Sequence, residues 1–274
     1  MKSYLIFSFF ISFFLFSCND TDKAPTSESR NIIMDLALTE EYAEDITVIF
    51  DEAAIYGKLV TKDNYFPSDI PVVIKKYYDS IQKTDTLIVV DFGIKGVMSK
   101  DDKTRSGKIK ISMPRGYNFA GTIQTISFEG FSINGTILSG KKTIRYNGVN
   151  SSSFKEWTVV NDLSYAKKDG TVLNLKGEQR RTWTNPTNQV WTQRTYKYEG
   201  VYEQYTRKNI VYNFDVTKAL QVSIGCRHFQ SGILSFKKDL KTYKITYDKT
   251  LISGCDNFAD IEYEGTTETI NLVL

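Results

Sequence analysis

From about residue 72 to the C-terminus the chain alternates apolar and polar residues with a period of two, in short runs bounded by Gly, Asn and Asp. No other feature constrains the fold as strongly. Successive side chains on a strand point to opposite faces of a sheet, and only closely spaced turns join so many short runs. Strands are expected over 72–78, 86–92, 108–113, 122–128, 131–138, 142–146, 156–160, 172–176, 179–184, 190–198, 210–214, 232–237, 241–248, 259–264 and 269–274. The fold class is therefore mainly β: an extended antiparallel sheet or a sandwich built from a hairpin meander, with one short N-terminal helix. That helix is expected over 39–57. Thr39 suits an N-cap, Glu40, Glu41, Glu44 and Asp45 favour the positive end of the dipole, and Tyr42, Ile46, Ile49, Phe50, Ala53 and Ala54 share one face before Gly57. Its carboxylates read as a solvated face. The body, 31–274, reads as a single all-β domain, large enough for a sizeable core at 41% apolar content.

The N-terminus reads as an address. A short basic lead with Lys2 precedes an apolar run, 5–16, broken only by Ser8 and Ser12, as in a signal-peptide core. No later stretch approaches the ~20 apolar residues of a membrane-spanning helix. Leu15-Phe16-Ser17-Cys18 resembles the lipobox of bacterial lipoproteins, which implies cleavage after residue 17 and acyl chains on Cys18. Residues 1–17 are then signal and 18–30, polar with Pro25, Ser27 and Ser29, a flexible tether. Asp20 and Asp22 behind Cys18 look like the acidic export signal of Bacteroidota lipoproteins. The expected location is the outer membrane, facing the cell surface, with the periplasmic face as the alternative.

With Cys18 acylated, Cys226 and Cys255 remain as an even pair in an oxidising compartment, and a disulfide is expected. A Cys226/His228 dyad competes, because residues two apart on a strand share a face. His228 is the sole histidine, so every multi-histidine metal site is excluded and no metal or cofactor is expected. Asp256, Asn257 and Asp260 are oxygen donors in a turn that lacks the spacing of a calcium loop. Asp101-Asp102 reads as a turn before Lys103. Asp79-Ser80-Ile81 and Asp85-Thr86-Leu87 look like short O-glycosylation motifs.

Charge is uneven: residues 18–102 hold 9 Lys/Arg against 17 Asp/Glu, and residues 103–208 hold 18 against 7. Within the basic third a hairpin is expected around 185–188, its register placing Trp183 opposite Trp191 with Arg181 and Gln193 next on the same face. If exposed, these four make a platform for a sugar ring or an acidic saccharide. The competing reading is that Lys, Arg and Thr simply occupy solvent-facing strand positions, where they deter edge pairing.

Asp91-Phe92-Gly93, Arg105-Ser106-Gly107-Lys108-Ile109, the segment from Phe128 to Gly135, Cys226 to Gly232, and Gly254-Cys255-Asp256-Asn257 with Ala259 together resemble an uncharacterised family of Bacteroidota outer-membrane lipoproteins. The resemblance runs from about residue 87 to residue 274. It implies an envelope lipoprotein with no assigned chemistry and no catalytic residues to transfer. The sequence reading is thus a non-catalytic surface binding or accessory module, touching the membrane through its lipid and a glycan or anionic polymer through its sheet. No nucleic-acid partner is expected. A structural envelope component and a carboxylate-dependent hydrolase are the alternatives.

Overall fold

The computed structural model describes residues 27–56, 73–79, 84–99, 101–114, 117, 119–185, 193–205, 210–224, 226, 228–238, 240–247 and 255–272. One helix, α1 (Ser27–Tyr56), precedes a single antiparallel sheet. Its strands are β1 (Val73–Asp79), β2 (Thr84–Asp91), β3 (Val97–Met98), β4 (Thr104–Ser112), β5 (Ile123–Ile133), β6 (Thr136–Val149), β7 (Lys155–Ala166), β8 (Val172–Trp183), β9 (Thr195–Tyr205), β10 (Val211–Ser223), β11 (Ser231–Lys238), β12 (Lys241–Thr246), β13 (Phe258–Tyr263) and β14 (Thr266–Asn271). Neighbours in the chain are neighbours in the sheet, save that the two-residue β3 pairs β4 in line with β2. Of the alternatives left by the alternating pattern, the meander forms one sheet.

The helix is longer than expected and differently placed. It starts at Ser27, so 27–30 are helical and not tether. Thr39 lies mid-helix, where its hydroxyl donates to the Leu36 carbonyl at 2.8 Å and caps nothing. Residues 36–43 are buried without a break, two full turns, as happens only when a helix is enclosed on every side. The sheet curls to do this. Side chains from β4, β6, β7, β8, β9, β11 and β14, and from Tyr247 just after β12, all bond to α1. Inward-facing strand positions supply the apolar core, including Ile88, Ile109, Ile126, Ile144, Val159, Leu175, Phe214, Leu234, Ile245 and Ile261, all fully buried. Outward positions on the same strands hold Lys, Glu and Thr. This gives the clean alternation of a sheet solvated on one face.

Three of the five segments that carry the lipoprotein resemblance, 91–93, 105–109 and 128–135, meet in one place. The Phe92 amide donates to the Gly107 carbonyl and the Gly107 amide to Gly93, while Phe92 and Phe128 both pack on Phe131. Gly107, at φ 76°, bulges β4 against β5 so closely that a Cβ there would lie 2.2 Å from the Gly130 oxygen. These residues build a bulge that bends the sheet over the helix, a structural role. Asp101-Asp102 forms the expected turn, with the Asp102 amide donating to Ser99 and Asp102 at φ 60°. Cys226 and Cys255 are bonded, Cα atoms 5.0 Å apart, joining the loop after β10 to the start of β13. With its sulfur in that bond, Cys226 is no partner for a nucleophilic dyad with His228.

Candidate functional site

The polar residues that the alternating pattern leaves unexplained converge between α1 and the sheet. The carboxylates read as a solvated helix face are interior: Glu40, Glu41, Asp51 and Glu52 are buried, and Glu44 and Asp45 nearly so. Five of them, Glu40, Glu41, Glu44, Asp45 and Asp51, face a cation or phenol brought in by the sheet or its connections. The Arg105 guanidinium forks onto Asp45 and Asp101 and donates to the Ser99 hydroxyl at 2.8 Å. Lys103 adds a contact to Glu41 at 3.1 Å. Arg181, fully buried, donates to Asp51 at 2.7 Å and lies 3.6 Å from the Tyr196 ring centre, with Trp157 and Tyr198 also within 6 Å. Tyr247 donates to Glu40 at 3.0 Å, Tyr198 to Glu44, Tyr117 to Asp51 at 2.7 Å and Tyr165 to the Thr39 carbonyl at 3.1 Å. Hence the abundance of tyrosine on the inner face: the ring fills the core and the hydroxyl reaches the helix.

Glu40 and Glu44, one helical turn apart, also line two adjoining cavities. One is closed by Lys142, Asn161, Gln179, Tyr198, Tyr202 and Phe229, with closed space for about one water. The other is closed by Val222, His228, Phe229 and Tyr247. Gly177 and Gly200 let β8 and β9 approach closely on the inward face: a Cβ on Gly177 would lie 2.3 Å from the Val201 oxygen and one on Gly200 2.2 Å from the Glu178 oxygen. Four buried polar atoms on the walls of the first cavity, Glu40 Oε1, Glu44 Oε1, Asn161 Oδ1 and Gln179 Nε2, have no hydrogen-bond partner, although Glu44 Oε1 lies 3.8 Å from the Arg181 guanidinium. Such a space suits an ordered water, which bridges two to four polar groups, and is too small for a sugar ring.

Burial sets the protonation there. Desolvation pushes the Glu40 carboxyl up to about 8 and also raises Glu44, against the pull of Arg181 and Lys142. Desolvation brings the Lys142 ammonium down to about 7, although it donates to the Ala43 carbonyl at 2.7 Å. Burial alone would raise Asp45 as well, but the Arg105 and Lys103 charges hold it below the usual carboxylate range. Glu40 and Glu44 thus bring two carboxyl groups to the wall of one closed, water-sized space.

The expected sugar platform is corrected. Arg181 is inside the molecule and Trp183 is buried at 7% exposure, its ring covered by Arg194 at 4.5 Å and Lys155 at 5.8 Å. β8 and β9 pair in a register that sets Trp183 opposite Tyr196, five positions beyond the expected Trp191. At the ends of the connection Asn185 accepts from the Trp183 indole and the Thr195 amide and donates to the Gln193 carbonyl. Gln193 is exposed and Trp191 lies outside the described residues, as do Cys18 and Ser80-Ile81. Asp256 accepts from the Phe258 amide and Asp260 from Thr269, which accounts for both carboxylates as turn and ladder groups. Comparison with protein-family models, with curated proteins and with solved structures finds no match to the chain.

Proposed function

We propose that this chain is a lipid-anchored envelope protein, akin to the Bacteroidota lipoproteins it resembles, held at the outer membrane by acyl chains on Cys18 and acting as a non-catalytic binding or accessory module for an acidic glycan or another anionic polymer. One observation supports the ligand class. Alternation along β4–β9 divides the basic third of the sequence between two faces. Lys103, Arg105 and Arg181 point inward onto helix carboxylates, and Lys142 points inward onto the Ala43 carbonyl of the helix. Lys108, Lys110, Lys141, Arg145, Lys176 and Arg180 take the outward positions of neighbouring strands. The carboxylates between them, such as Glu129, Asp162 and Glu199, form exposed pairs, which are individually weak and open to exchange with a polyanion.

The wild-type chain is expected to be retained on immobilised dextran sulfate and not on neutral dextran. Exchanging Arg145, Lys176 and Arg180 together for Glu should abolish that retention and leave the thermal midpoint within a few degrees, because all three side chains are solvated. Equal elution from both matrices overturns the ligand class. The anchor has its own test: Cys18→Ser should move the protein out of the membrane fraction, and an unmodified thiol at Cys18 in the mature protein refutes the lipid.

A further inference from the structure

Leu240 is the most exposed large apolar side chain among the described residues, fully open at 103% of its reference surface, and its backbone sits at φ 68°. A bulky side chain in the left-handed region is a conformational outlier, where Gly or Asn is the ordinary choice. It stands at the tip of the β11–β12 turn between Lys237, Lys238 and Lys241. No described residue covers this side chain.

The position of the turn is informative. Lys238, at the base of the turn, bonds Glu28 in the first turn of α1 at 2.8 Å, so Leu240 projects beside the helix N-terminus. Ser27, where α1 begins, follows Cys18 by nine residues, which span at most about 30 Å when fully extended. This end of the domain is therefore confined near the surface that holds the Cys18 lipid. The charges around it are largely matched: Arg30 with Glu268, Lys167 with Asp35, Lys238 with Glu28 and Lys241 with Glu264. A contact made here depends on the apolar tip, with lysine stems beside it able to reach headgroups, and does not require a charged bilayer.

We propose that the Leu240 turn is a membrane-seating tip that enters the headgroup and acyl boundary of the phospholipid surface in which the Cys18 lipid is embedded, and so fixes the domain's orientation on that membrane. The inference rests on the anchored reading above and is tested apart from it. The purified full-length lipidated protein, as Leu240→Cys or as Ser152→Cys in the β6–β7 turn at the opposite end of the sheet, is labelled on the new thiol with an environment-sensitive NBD dye and reconstituted into phosphatidylcholine vesicles; wild-type protein taken through the same labelling gives the background. Emission from position 240 should shift to the blue and be quenched severalfold more than that from 152 by a nitroxide on the upper acyl chain. Equal emission and equal quenching at the two positions overturn the tip. Flotation of the vesicles reports the anchor separately: protein that fails to float refutes the lipid on Cys18, whereas protein that floats with equal emission and quenching at 240 and 152 refutes the tip alone.

Discussion

Replacing Arg181 by Met is expected to lower the thermal midpoint by roughly 10 °C. The guanidinium is fully buried and its partner Asp51 is 1% exposed, so the variant leaves a carboxylate in the core with only the Tyr117 hydroxyl to answer it. Breaking a buried pair from one side costs about 3–5 kcal/mol, because the remaining charge loses its compensation. For a domain of this size each kcal/mol is worth about 2–4 °C. Adding Asp51→Asn should recover more than half of the loss: the amide still accepts from Tyr117, and no unpaired charge remains. A double-mutant cycle by thermal melts measures this. On a solvent-facing sugar platform the same substitution would cost well under 1 kcal/mol, so a small effect of Arg181→Met would show that the side chain is not the buried partner of Asp51.

That contrast marks what a single sequence discloses. Alternation located most of the strands and the face each side chain takes, because period two is a local property. Pairing is not local. The helix carboxylates find their cations 60 to 130 positions away at Arg105 and Arg181, and a charged helix with distant partners has the same sequence pattern as one facing water. The first half of α1 was obscured for a related reason. Ile32, Ile33, Leu36 and Ala37 share one face, but Leu38 is buried on the opposite one, so the stripe blurs as the sheet closes round the helix. The charge imbalance between the first and middle thirds was the legible trace of this arrangement: acidic helix and basic strands are the two halves of one interior.

Turns were legible where their chemistry is specific. Asn134, at φ 51°, and Gly135 form the two-residue turn between β5 and β6, through which the strand expected over 131–138 was continued; Asn-Gly is a strong hairpin signal and should have ended it. The β8–β9 connection has no such signal. Asn185-Pro186 and Asn188 all look turn-like, and the register is set instead by which residues fill the helix-facing side: Trp183 and Tyr196 pair inward, and a slip by one position would have put both outside.

Glu40→Gln is expected to stabilise the protein at pH 8 and to change little at pH 4.5. The sign follows from linkage. Burial holds the folded-state carboxyl up to about 8, against an unfolded value near 4.5, so between those limits the folded chain retains a proton that the unfolded chain releases. Stability of the wild type must then fall as pH rises through this window, by up to about 1.4 kcal/mol per pH unit where the difference is complete and by a few kcal/mol in all. Glutamine has the shape of the protonated acid, keeps an acceptor for Tyr247 and does not titrate. The two curves should coincide near pH 4.5 and diverge steadily toward pH 8. Lys142, brought down to about 7, acts in the opposite sense above that value: the unfolded chain then holds the extra proton, and stability rises with pH for both proteins alike. The difference between wild type and variant therefore isolates Glu40, and it is cleanest from pH 5 to 7. Thermal midpoints measured across that range decide the matter. Parallel curves would mean that Glu40 titrates at its ordinary value and reaches water through the mouth of the cavity, whereas divergence makes the space between α1 and the sheet a closed polar interior in which a neutral carboxylic acid helps to hold the helix.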